Sequence, residues 1–159
     1  MANIPNKSDG EIFYASNLFK HITSNNAVTS STSTSETEIG EATILANQAS
    51  GGILIVAHIK STLSSYASPT ATSTNTFKIR VGTSSTATSN ALVDTYVDQI
   101  SQATGQSNNS DSSVSSLREN TISAFYSGAT WSSENFVHIT GQTNGHGTVE
   151  CIKIEVIGV

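Results

Sequence analysis

Side chains able to do chemistry are sparse on this chain, so each group can be weighed in turn. The four histidines, His21, His58, His138 and His146, are scattered. No two stand at i, i+4 or at His-x-His spacing, the local patterns that bring two imidazoles to one metal. They read as wet-face or loop histidines, and a metal site would have to be assembled in space, on a trimer axis for instance. Paired carboxylates serve glycoside hydrolysis. Asp94 and Asp98 lie four apart, and Glu36, Glu38 and Glu41 cluster near the start of the main domain; both sets read as solvated charges. Asp94, Asp98 and Asp111 could offer oxygens to calcium, but the Asp-x-Asp-x-Asp-Gly loop is absent.

Nucleophilic catalysis fares no better. Serine is abundant, yet there is no Gly-x-Ser-x-Gly elbow to present one to a base, and Ser127-Gly128 is a turn. The single cysteine, Cys151, excludes an intrachain disulfide and a thiolate zinc cluster. It sits in an apolar run and reads as a small packed side chain. No catalytic residue, metal ligand or cofactor is assigned, and the expectation is a protein that is not an enzyme. One binding chemistry stays open. Trp131, with Phe125 and Tyr126 near it in sequence, could stack on a sugar ring, and Asn144 and His146 in a glycine-rich turn could add polar contacts. The competing reading is that Trp131 plugs the end of the fold.

The elements that would position these residues follow from composition and period. The chain has 159 residues, a length that fits one domain. Charged residues make up only 12%, against about 25% in ordinary globular chains. Ser and Thr take their place, and Thr suits a pleated surface while Ser favours turns. The net charge of -5, with seven scattered Lys and Arg, lacks the clustered cations that nucleic acid requires. The longest apolar stretch, residues 51–59, is far short of the roughly 20 residues of a membrane span. No basic segment followed by an apolar run marks a secretion signal at the N-terminus.

Seven or eight short runs read as strands: residues 41–46, 53–60, 75–81, 118–126, 134–140 and 148–157, with 91–100 suiting either a strand or a short helix. In the cleanest, Phe77, Ile79 and Val81 face one way and Thr76, Lys78 and Arg80 the other. In the last, Ile152, Ile154 and Val156 share one face; the opposite face, with Val149, Cys151, Lys153, Glu155 and Ile157, is half polar and suggests partial cover by another subunit. No βαβ alternation is present. The fold expected is an all-β antiparallel sandwich, jelly-roll-like, over residues 38–159. Ahead of it, residues 1–37 read as a short helical or extended anchoring segment and a Ser/Thr-rich linker (residues 29–37). Ala15, Leu18, Phe19 and Ile22 keep helical spacing, and a helix so short must dock on something. Ile12, Phe13, Leu18, Phe19 and Ile22 are the candidate docking residues.

The run Thr76-Phe77-Lys78-Ile79-Arg80-Val81-Gly82-Thr83 resembles the strand ending in a glycine turn in jelly-roll domains of tailed-phage tail-fibre and other virion structural proteins. Gly52-Ile53-Leu54-Ile55-Val56-Ala57 is similar to their early apolar strand, and residues 131–159 to their closing aromatic, strand, glycine turn and strand. Residues 8–18 resemble short virion-anchoring segments of some phage fibre proteins. Residues 90–116 depart from the pattern, being longer and more polar. The resemblance implies a homotrimer on the exterior of a virus particle, docked on other virion proteins of the capsid or tail. The alternative from a different class is a carbohydrate-binding or adhesin module that contacts host-surface glycan through Trp131, Tyr126, Asn144 and His146.

Overall fold

The alternating runs do form strands. A computed structural model describes residues 20–26, 29–63, 72–101 and 116–159. They contain nine strands: β1 (Lys20–Asn25), β2 (Thr29–Ser31), β3 (Thr37–Ile44), β4 (Ile53–Leu63), β5 (Thr72–Gly82), β6 (Ala91–Ser101), β7 (Ser116–Tyr126), β8 (Asn135–Thr143) and β9 (Gly147–Gly158). A single 3-10 turn, Ala87–Ser89, lies between β5 and β6, and the described residues include no α-helix.

The connectivity is that of a long hairpin rolled up. β5 and β6 pair as its tip, then β4 with β7, β3 with β8, and β1 and β2 with β9, all antiparallel. Rolling brings β4 onto β9 and β5 onto β8. Two sheets result, β1-β9-β4-β7 (with β2 also on β9) and β3-β8-β5-β6. They pack face to face as a jelly-roll sandwich.

The core is where the period-two apolar faces meet. Ile53, Ile55, Ala57 and Ile59 of β4 face Phe77, Ile79 and Val81 of β5, with Val137, Ile139, Val149, Ile154 and Val156 around them, all nearly or fully buried. Each such aliphatic side chain contributes about 1.5–3 kcal/mol by leaving water. At the end where β4 finishes, the interior turns polar. Ser61, Ser73, Asn75 and Asp98 are buried there, and Ser73 donates to Asn75 Oδ1 at 2.9 Å. Arg118 of β7 reaches Asp98 of β6 at 3.1 Å, joining the edge strands of the two sheets.

Several sequence expectations are decided or changed. Residues 91–101 are a strand, paired with β5 along their length. Where a helix was expected to run through Ile22, residues 20–25 are β1, and Ile22 packs against the core. Three residues of the expected linker, Thr29–Ser31, pair with β9. The two faces of β9 are not those of simple alternation. His58 pairs with Lys153 and Ile59 with Cys151, so Ile152 is a bulged residue. A one-residue insertion switches which parity points inward: Val149 and Cys151 are buried before it, Ile154 and Val156 after it. Two of the three apolar members of the half-polar face, Val149 and Cys151, are therefore core and need no covering subunit, while Ile157 stays partly exposed on the outer side.

Candidate functional site

Strand alternation should put Glu38 and Glu41, three apart, on opposite faces of their sheet. A bulge prevents this. Glu38 pairs with Thr140 and Gly40 with Ile139, leaving Ile39 without a partner. Ile39 stays in the core, while Glu38 and Glu41 both lie beside outer-face residues of β8, Thr140 and His138. Gly40 permits the bulge because a Cβ there would come within 2.8 Å of Cys151 Sγ.

His138 is the centre of this face. It points out of the sandwich, yet its side chain is 0% exposed, because three layers cover it. Phe136, two residues back on the same face, stacks on the ring with centroids 5.9 Å apart. The loop after β5 places Ser84 O 3.2 Å from Nε2. Glu38 Oε2 and Glu41 Oε2 approach Nδ1 at 2.9 Å and 3.7 Å. Nδ1 nevertheless makes no hydrogen bond. Asn90 fixes the loop, accepting from Ser84 N at 3.1 Å and donating to Ser84 O at 2.7 Å. Donor atoms of Glu38, Glu41 and His138 all lie within 4.8 Å of one another.

Next to this cluster, Glu36 is neutralised by its own partners. Lys78 Nζ and Arg80 Nε each donate to its carboxylate at 2.6 Å, and Thr140 Oγ1 at 2.7 Å. The bond from Arg80 is the main reason its pKa falls from 4.5 to about 2; partial burial opposes the lowering, and the bonds from Lys78 and Thr140 reinforce it. The carboxylates expected to be merely solvated are thus a structured network. Its one legible signal is Ile39-Gly40 between two glutamates, since glycine inside a strand often marks a bulge. Nothing in the local sequence around His138 announces its burial.

The other candidates are dispersed. Ile12, Phe13, Leu18, Phe19 and Asp111 lie outside the described residues, and Ile22 packs on the core. Trp131 and Tyr126 are partly buried against the core at one end of the sandwich. Asn144 and His146 lie in the turn at the other end, where Asn144 donates to Thr72 O at 2.8 Å. The length of β8, roughly 26 Å at about 3.3 Å per residue, separates the two pairs. Asp94 and Asp98 are roughly 13 Å apart along β6 by the same spacing; Asp94 is exposed and Asp98 is buried on Arg118. His58 meets Thr121 across β4 and β7 at 3.1 Å. Cys151 is buried, which pushes its thiol from 9.0 to about 11, the wrong direction for a nucleophile. Among the described residues no helix is long and apolar enough to cross a membrane. No protein-family model matches the chain, and no curated protein matches its sequence.

Proposed function

We propose that this chain is a non-enzymatic structural protein of a virus particle, carried on its exterior as a capsid decoration, spike or fibre head, and that it works by self-assembly and docking. The observation that carries the reading is a side of the sandwich left open among the described residues. β6 and β7 are the edge strands of their sheets, are 11 residues long each, and neighbour one another. They hold Leu92, Val97 and Leu117 at 52% exposure and Phe125 at 59%. Long edge strands with apolar side chains invite pairing with another chain. Leu92 and Val97 stand on the outer face of one sheet and Leu117 and Phe125 on that of the other, so three copies turning this edge to a common axis in a closed assembly would wrap both flanks of it. The resemblance of residues 76–83, 52–57 and 131–159 to virion jelly rolls supports the setting. Docking on the particle falls to the segment before β1, with Ile12, Phe13, Leu18 and Phe19.

Val97→Lys combined with Leu117→Lys tests the assembly. Both side chains are already half in water, so the monomer fold should survive, as judged by an unchanged far-ultraviolet spectrum. Sedimentation should drop from three copies to one. A doubly substituted chain that still sediments as the wild type would show that this side is not the interface.

A further inference from the structure

We propose that Glu38, Glu41 and His138 bind a divalent transition-metal ion, with Zn²⁺ the best match. Carboxylate clusters on a protein surface are common and carry little weight alone. Here the cluster includes a fully buried imidazole whose Nδ1 has no hydrogen bond and faces the two carboxylates. A buried polar atom left unpaired costs about 1–3 kcal/mol, so such atoms call for an explanation.

The opposite nitrogen supplies one. Nε2 lies 3.2 Å from Ser84 O, a carbonyl that can only accept. Donation from Nε2 places the ring proton there and leaves a lone pair on Nδ1, the ring atom that lies 2.9 Å and 3.7 Å from the two carboxylates. A metal-bound histidine is commonly oriented in this way, its other N–H held by a carbonyl. Ser84 is itself held by both amide atoms of Asn90, so the orienting group is fixed before any ligand arrives.

The spacing fits. Zinc takes nitrogen and oxygen ligands at about 2.0–2.2 Å, which sets ligand atoms on one ion roughly 3.3–3.5 Å apart in a tetrahedron. The distances from Nδ1 to Glu38 Oε2 and Glu41 Oε2, 2.9 Å and 3.7 Å, bracket that value. The carboxylates are 40% and 34% exposed, leaving water free to complete the shell. Glu36 does not compete, being engaged by Lys78 and Arg80. An imidazole ligand favours a transition metal over calcium or magnesium, which take oxygen donors. The site stands whether or not the chain assembles on a particle.

The competing arrangement is a doubly protonated His138 held as an ion pair, and one experiment separates the two. The intact chain is stripped with chelator and titrated with ZnCl₂ in a calorimeter, with imidazole ¹⁵N spectra in parallel. The proposal expects one ion per chain, a shift of His138 Nδ1 on binding, and affinity at least about tenfold weaker in Glu38→Gln and in Glu41→Gln. Glu119→Gln, on a different strand, should bind as the wild type. His138→Ala is avoided because its burial makes misfolding the simpler outcome. No zinc uptake, uptake unchanged in both glutamate variants, or a ring that stays doubly protonated at neutral pH with zinc present would each overturn it.

Discussion

Glu36→Gln isolates what the charged network on the outer face of the second sheet contributes. The wild-type carboxylate has a pKa lowered from 4.5 to about 2 by Arg80, Lys78 and Thr140. A folded pKa below the unfolded one means that the group stabilises the fold above pH 4.5, and that this contribution disappears as pH falls from about 4.5 to about 2. At about 1.36 kcal/mol per pH unit, the full difference is about 3.4 kcal/mol. The network lies at the surface of the sheet, with the Glu36 side chain 16% exposed and Lys78 22%, so solvent screening reduces it to about 1–2 kcal/mol. Urea unfolding followed by Trp131 fluorescence, at steps from pH 7 to pH 2.5, measures it. Glu36→Gln should be less stable by about 1–2 kcal/mol at pH 7, and the two stability curves should converge as pH approaches 2.5. All other carboxylates titrate in both proteins, so the gap reports Glu36 alone. A gap that stays constant across the range would refute the reasoning, since the loss would then come from packing and not from the charge.

Gly82→Ala would drive a Cβ to 2.3 Å from Asn90 Oδ1 and should cost about 1–3 kcal/mol by overpacking; Asn90→Ala in the same chain should recover part of it, which a thermal-melt double-mutant cycle reads out. The Cys151 thiol, buried with its pKa pushed up to about 11, should resist alkylation at pH 8 in the native chain and react at once in denaturant, followed by mass spectrometry. Arg118→Ala should cost about 3 kcal/mol by stranding the buried Asp98 carboxylate, and adding Asp98→Asn should restore most of that in urea unfolding.

Much of the fold was legible because burial imposes strict alternation. In β4 and β5 every inward position from Ile53 to Ile59 and from Phe77 to Val81 is apolar, and both strands lie in the middle of their sheets. Legibility failed where a single inserted residue changed the parity. Ile152 put Val149 and Cys151 in the same core as Ile154 and Val156, which simple alternation had assigned to the opposite face, and Ile39 brought Glu38 and Glu41 to the same side. Residues 91–100 were ambiguous because β6 is an edge strand with few buried positions, so its apolar residues obey no single period. At the end of the N-terminal segment the local pattern could not choose between the helical and the extended reading, since Ile22 satisfies strand packing as well as helical spacing; pairing with β9 makes residues 20–25 extended. The candidate site was legible only as three glutamates. His138, 97 residues from Glu41 in the chain, joins them solely through the pairing of β3 with β8.

Under the proposed function, sister copies should cover the exposed edge formed by β6 and β7. Sedimentation velocity on the intact chain, over a range of micromolar concentrations, measures this without any substitution. Three copies of 16.6 kDa should sediment together at about 50 kDa. A single species of one-chain mass at every concentration would contradict the account.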